Sequence, residues 1–218
     1  VAYFSAAGNA GNFDGGTSGV WEGDFVASEL TVGEETFVVH DFGGGVVFNE
    51  LGNDPSSVIA LHWADPQGAS NNDYDLMLLD ESGTEIVAIS NNIQDGSGNP
   101  LEFIDSRLDD HAYYRIVIVQ AAGEARFLRL DTFGAQLEFV TAGQVFGHPG
   151  AENAIAIGAV YQGNGLFGPG YFDGDELVES FSSDGPRRVF FNGDGDPYTP
   201  ADFSGTGGIV REKPDFVA

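Results

Sequence analysis

Tyr113-Tyr114-Arg115-Ile116-Val117-Ile118-Val119-Gln120 serves two surfaces at once. In an extended chain Tyr114, Ile116 and Ile118 project to one side, and Arg115, Val117 and Val119 to the other. A strand with apolar side chains on both faces belongs at the centre of a sheet covered on both sides. Short apolar runs surround it, and their spacing predicts strands over 36–40, 45–48, 58–63, 75–79, 85–89, 113–120 and 125–131, with Gly, Asn and Asp in the breaks. Asp80-Glu81-Ser82-Gly83-Thr84 reads as a hairpin turn with Gly83 at the position needing a positive φ. The pattern is that of a mainly β protein built on an antiparallel, jelly-roll-like β-sandwich.

Composition agrees. The chain has 218 residues, 42% of them hydrophobic and 12% aromatic, enough to build a core. Its 32 glycines and the lack of apolar residues at helical spacing argue for strands and turns. With 34 acids against 8 bases the formal charge is −26, which repels phosphate backbones and anionic headgroups, so nucleic acid and membrane surfaces are excluded as partners. The longest apolar runs, such as 154–160, are too short to span a bilayer, and no charged-then-apolar leader opens the chain. Cysteine is absent, which removes disulfides, thiolate metal sites and Cys nucleophiles. Residues 15–140 hold 22 acids and 4 bases; the remainder holds 12 and 4. Both ends fall inside apolar, strand-like runs, so a fragment of a longer protein is expected.

Outside the sandwich the texture is different. Ala6-Ala7-Gly8-Asn9, Gly147-His148-Pro149-Gly150, Ala154-Ile155-Ala156-Ile157-Gly158-Ala159-Val160, Ser180-Phe181-Ser182-Ser183-Asp184-Gly185-Pro186 and Lys213-Pro214-Asp215-Phe216-Val217-Ala218 occur in that order. Together they resemble the second half of the subtilisin-like serine peptidases, over residues 1 to about 12 and about 141 to 218. The resemblance implies a partial α/β catalytic domain made of 1–14 and 141–218, with 15–140 as an inserted sandwich. It further implies that Asn9 donates its amide to the oxyanion hole, that Ala6, Ala7, Gly8, Gly147, His148 and Pro149 line the primary specificity pocket, and that the bond before Pro149 is cis. Chemically the first role is sound, because a preorganised amide facing the developing oxyanion lowers an acyl-transfer barrier by roughly 3 kcal/mol.

Two departures qualify the resemblance. The family's nucleophile segment and its Asp and His have no counterpart in these residues, so no triad can be assembled. His40 and His62 lie in strand-like runs, His111 in an Asp-rich turn and His148 in the loop matching the pocket; none is assigned as the base. The second departure is the insertion, whose segments 72–84, 88–92 and 111–118 are similar to the prepeptidase C-terminal type of sandwich of secreted bacterial peptidases. Segments removed from the family fold lose the strands that cover them, so the flanks are expected to be rearranged rather than paired in parallel.

Two acidic clusters are candidate calcium donors: Asp73 with Asp75, and Asp194 with Asp196 in a glycine-rich loop. Neither has EF-hand spacing, and turn carboxylates often serve only their own backbone. No organic cofactor is implied, and Gly163-Asn164-Gly165-Leu166-Phe167-Gly168-Pro169-Gly170 lacks the Lys-Ser/Thr of a phosphate loop. The reading is therefore part of a secreted or cell-surface bacterial serine endopeptidase acting on protein or peptide substrates, its triad outside these residues and the fragment inert by itself. The rival is a non-catalytic calcium- or ligand-binding sandwich on an inactive peptidase scaffold. Oligomeric state is not encoded in any motif.

Overall fold

A computed structural model of the chain describes residues 2–52, 58–105, 113–161 and 176–218. The chain enters on β1 (Tyr3–Ala6) and continues through β2 (Val20–Asp24), β3 (Ala27–Val32), β4 (Glu35–His40), β5 (Asn49–Leu51), β6 (Val58–Trp63), β7 (Asp73–Leu79), β8 (Ile86–Ser90), β9 (Leu101–Asp105), β10 (Tyr114–Ala122) and β11 (Phe127–Asp131). A 3₁₀ turn at His148–Gly150 precedes β12 (Ala154–Gly158), β13 (Arg187–Val189), β14 (Ile209–Arg211) and β15 (Phe216–Val217). One antiparallel sheet has the order β3-β4-β10-β7-β8, with β5 also on β10; the other has the order β2-β11-β6-β9. Facing each other, β4-β10-β7-β8 and β2-β11-β6-β9 form a jelly roll.

As its alternation requires, β10 is central. Tyr74, Leu76, Leu78, Ile116 and Ile118 of the first sheet meet Trp21, Ile59, Leu61, Trp63, Leu128 and Leu130 of the second in the main core. On the reverse of β10 and β7, Val117, Val119, Met77 and Leu79 form a second cluster, onto which Val47 and Phe48 fold. That contact explains why 45–48 is not the expected strand. Gly43, Gly44 and Gly45 take φ of 134°, 66° and 87°, and the Asp41 carboxylate accepts the Gly43 and Gly45 amides. The segment is thus a capped loop, and pairing with β10 begins at Asn49. At the 80–84 turn Gly83 has φ 74° and donates to the Asp80 carbonyl, as expected. Strands β2, β3 and β9 have no counterpart among the sequence expectations.

The flanks are not rearranged: β1 pairs in parallel with β12, Tyr3 opposite Ala154 through Ala6 opposite Ile157, and β12 pairs in parallel with β15. The expectation failed because the Lys-Pro-Asp segment supplies its own fastening. The Asp215 carboxylate accepts the Ala156 amide at 2.7 Å and the Lys213 ammonium at 2.7 Å, while Lys213 also reaches the Ala154 carbonyl at 2.6 Å. A buried lysine with these partners holds β12 and β15 in register.

The outer face of the β2-β11-β6-β9 sheet is where the two parts of the structure meet. By register Glu22, Arg129 and His62 lie side by side on it. Arg129 is buried and bonds Glu22, Asp131 and the Gly143 carbonyl at 2.5, 2.7 and 2.6 Å, and Arg187 reaches the same Glu22 oxygen at 2.9 Å. Gln144 completes the seam by donating to Asp131 and accepting the Gly19 amide. Replacing Arg129 with Met leaves the buried Asp131 carboxylate without its cation and Glu22 with Arg187 alone. Urea denaturation should show a loss of about 3–5 kcal/mol, and a loss below about 1 kcal/mol would show the seam to be dispensable.

Candidate functional site

Ser5, Ala6, Ala7 and Gly8 at the end of β1 and Phe146, Gly147, His148 and Pro149 before β12 line one cavity of about 370 Å³. The two segments lie about 140 residues apart in sequence. Parallel pairing of β1 with β12 extends to a bond from the Ala7 amide to the Ile157 carbonyl, which fixes one wall. On the other, Gly147 has φ 67° and the chain winds into the 3₁₀ turn, with Tyr3 and His148 rings in edge contact at 6.1 Å. The expected cis bond before Pro149 is not found; the cis bonds are Gly185–Pro186 and Lys213–Pro214. A trans proline suits this place because its fixed φ fits the first turn of a helix. Ala6, Ala7, Gly8, Gly147, His148 and Pro149 therefore line one cavity.

Asn9 follows directly, exposed, and its carboxamide has no hydrogen-bond partner among the described residues. Its neighbours, by contrast, are pinned. The Gly8 carbonyl accepts the Ser183 amide, the Ala10 amide donates to the Ser183 hydroxyl at 3.1 Å, and the Gly11 amide donates to the Phe181 carbonyl. Gly8 has φ 119°, and a Cβ there would lie 2.7 Å from the Ser183 hydroxyl, so glycine is required. Asn12 donates to the Glu179, Ser180 and Ser182 carbonyls, and Asp184 accepts the Phe13, Gly143 and Gln144 amides. Ser183, Asp184 and Asn12 are thus the positioning residues that sequence reasoning left unassigned. For the first two the signal was their place in the Ser-Phe-Ser-Ser-Asp segment. Asn12 carried no signal beyond its type. Chemically, a side-chain amide carried on a fixed backbone next to a cavity wall can donate to an anion.

His40 and His62 are not poised for proton transfer. His40 is enclosed by Trp21, Phe25 and Phe42, and its Nδ1 accepts the Val26 amide at 3.0 Å. Burial lowers its pKa to about 4. His62 is lowered to about 4 as well, by burial and then by the Arg187 and Arg129 charges. His111 and the 163–170 loop lie outside the described residues. Asp73 accepts the Gln94 amide, and Asp75 is pushed up to about 6 by burial and by the charges of Asp73 and Glu102. The Asp194 and Asp196 amides both donate to the Asn192 side chain, so that loop is closed by an Asx turn. Among the described residues no three His, Asp or Glu side chains converge as a cation site.

No protein-family model matches this sequence, and neither does any curated protein. Among solved structures the chain is similar to the Clostridium perfringens CspB protease, with a TM-score of 0.47 and 10% identity over 86% of this chain. It spans 38% of that chain's length.

The shifted groups set a pH dependence. His40 and His62 fold as neutral imidazoles, so their contribution is complete above their ordinary value of 6.5 and is lost as pH falls through about 4. Asp75 acts in the opposite sense, contributing below its ordinary value of 3.8 and losing that contribution as pH rises through about 6. Urea melts should show stability falling between pH 6.5 and 4. His62→Gln should flatten this loss, while Asp75→Asn should raise stability at pH 7.5 and steepen the fall. An unchanged slope in both variants would refute these assignments.

Proposed function

We propose that this chain is part of a secreted or cell-surface, bacterial subtilisin-like serine endopeptidase, in which Asn9 supplies the side-chain donor of the oxyanion hole. The cavity lined by Ser5–Gly8 and Phe146–Pro149 takes a side chain of a polypeptide substrate. The nucleophile, base and orienting acid come from the parent outside these residues. The observation that carries this reading is the union of two segments, distant in sequence, around one cavity, with Asn9 next in the chain after Gly8 of its wall. In the reaction the parent's serine attacks the peptide carbonyl, and its oxygen acquires negative charge as the tetrahedral intermediate forms. The Asn9 amide would bond that oxygen more strongly than the ground-state carbonyl, which is the condition for raising kcat.

In the parent enzyme Asn9→Ala should lower kcat about 100- to 1,000-fold with KM little changed. An unaltered kcat would remove the oxyanion role. Calcium enters this reading as a structural ion at the Asp73–Asp75 or Asp194–Asp196 turns, supported by carboxylate chemistry alone. Millimolar calcium should then raise the melting temperature of the chain, and an unmoved melting curve would remove the ion from the account.

A further inference from the structure

Asn9 also lines a second cleft of about 570 Å³, together with Val58, Phe103, Thr132, Phe133, Gly134 and Ala135. Six of these seven residues belong to the sandwich. Val58 and Phe103 lie on the outer face of the β6–β9 ladder, the same face that carries the Arg129 seam. There, however, the face is open: Phe103, on an edge strand, is 45% exposed.

Phe133 is the more informative residue. It has φ 55°, a left-handed conformation that costs a bulky side chain on the order of 1–3 kcal/mol, and its ring is still 38% exposed. The turn is held on every side. Asp131 accepts the Phe133 amide at 2.8 Å, and the Gly19 carbonyl accepts both the amide and the hydroxyl of Thr132 at 2.9 Å. A Cβ on Gly134 would stand 3.7 Å from the Cα of Ala10, so the turn abuts the residue after Asn9. The Phe133 ring meets Phe146 edge-on at 5.2 Å, and Phe146 lines the first cavity. The two cavities are therefore joined by an aromatic contact, and Asn9 lines the second.

We infer that the sandwich supplies a second substrate subsite: the cleft of Val58, Phe103 and Phe133 takes a large apolar or aromatic side chain of the polypeptide whose neighbouring residue enters the first cavity. This rests on the peptidase reading above. The continuity of the cleft with that cavity argues for the same extended chain as occupant. Asp105, opposite Val58 in the ladder, places a carboxylate near the mouth, so an acidic residue beside the anchoring side chain is disfavoured.

The test uses the parent enzyme and octapeptides that are identical except at one position, which carries Phe, Leu, Ser or Asp. The variants are Phe133→Asn, since asparagine tolerates the left-handed backbone, and Phe103→Ser on the exposed edge. Outside the residue in the first cavity, the parent should prefer Phe or Leu over Ser at one position. Each variant should reduce that kcat/KM ratio about ten-fold, chiefly through KM. Asn9→Ala should lower kcat for every peptide, whichever residue stands at that position. Absence of any such preference, or its survival in both variants, would overturn the subsite while leaving the oxyanion role standing. No effect of Asn9→Ala on any peptide would remove both. If the variants instead convert a dimer to a monomer in sedimentation, the cleft is a contact between copies, and the subsite is likewise overturned.

Discussion

A guanidinium buried between two carboxylates and a backbone carbonyl decides how this structure is assembled. Arg129 stands on the outer face of a sandwich sheet, where alternation would ordinarily put a side chain in water. Burying it is tolerable only because Glu22, Asp131 and the Gly143 carbonyl take its donors, and Gly143 comes from the segment leading to the first cavity. Arg187 joins Glu22 from the region before β14, so the ionic seam ties the sandwich to segments on both sides of β12. The direction of the constraint is clear: an unpaired ion inside such an interface costs more than the pair gains, so the seam specifies one docking geometry.

This use of cations is general in the chain. With only 8 bases against 34 acids, the described ones are engaged internally: Arg126 with Asp65, Arg188 with the Gly207 carbonyl, Arg211 with the Gly150 carbonyl and Lys213 with Asp215. Exposed acids without a cation, such as Asp14, Glu29, Glu34 and Glu35, contribute to a solvated anionic exterior. Sandwich, seam and parallel sheet are therefore fastened by a few buried charges placed at junctions, while the apolar cores stabilise each part from within.

The candidate site inherits its rigidity from those junctions. Ser183 and Asp184 bond the chain on either side of Asn9 and also the loop leading to Phe146, so both walls of the first cavity refer to the same short segment. The backbone on both sides of Asn9 is bonded through Gly8, Ala10 and Gly11, and its exposed carboxamide has no partner among the described residues. A donor carried on a fixed backbone is what electrostatic stabilisation of a transient anion uses. The sandwich reaches the same place through the strained Phe133 turn, so its proximity to the site follows from the seam rather than from any contact made by Asn9 itself.

Local chemistry made much of this legible. The two-faced pattern of Ile116–Val119 fixed a central strand, Gly83 fixed a hairpin turn, and the small residues before Asn9 marked the end of a strand, because side-chain alternation and left-handed backbone preferences act over a few residues. At 45–48 the structure has a loop where a strand is expected, because an Asp41 cap and three left-handed glycines outweigh β propensity. Parallel pairing of β1 with β12, the clasp of Ser183 on Gly8 and Ala10, the Arg129 seam and the cleft beside Phe133 were not legible. Each depends on groups more than a hundred residues apart, or on the face a strand turns towards another part of the fold. Only packing in three dimensions selects which buried charge meets which partner.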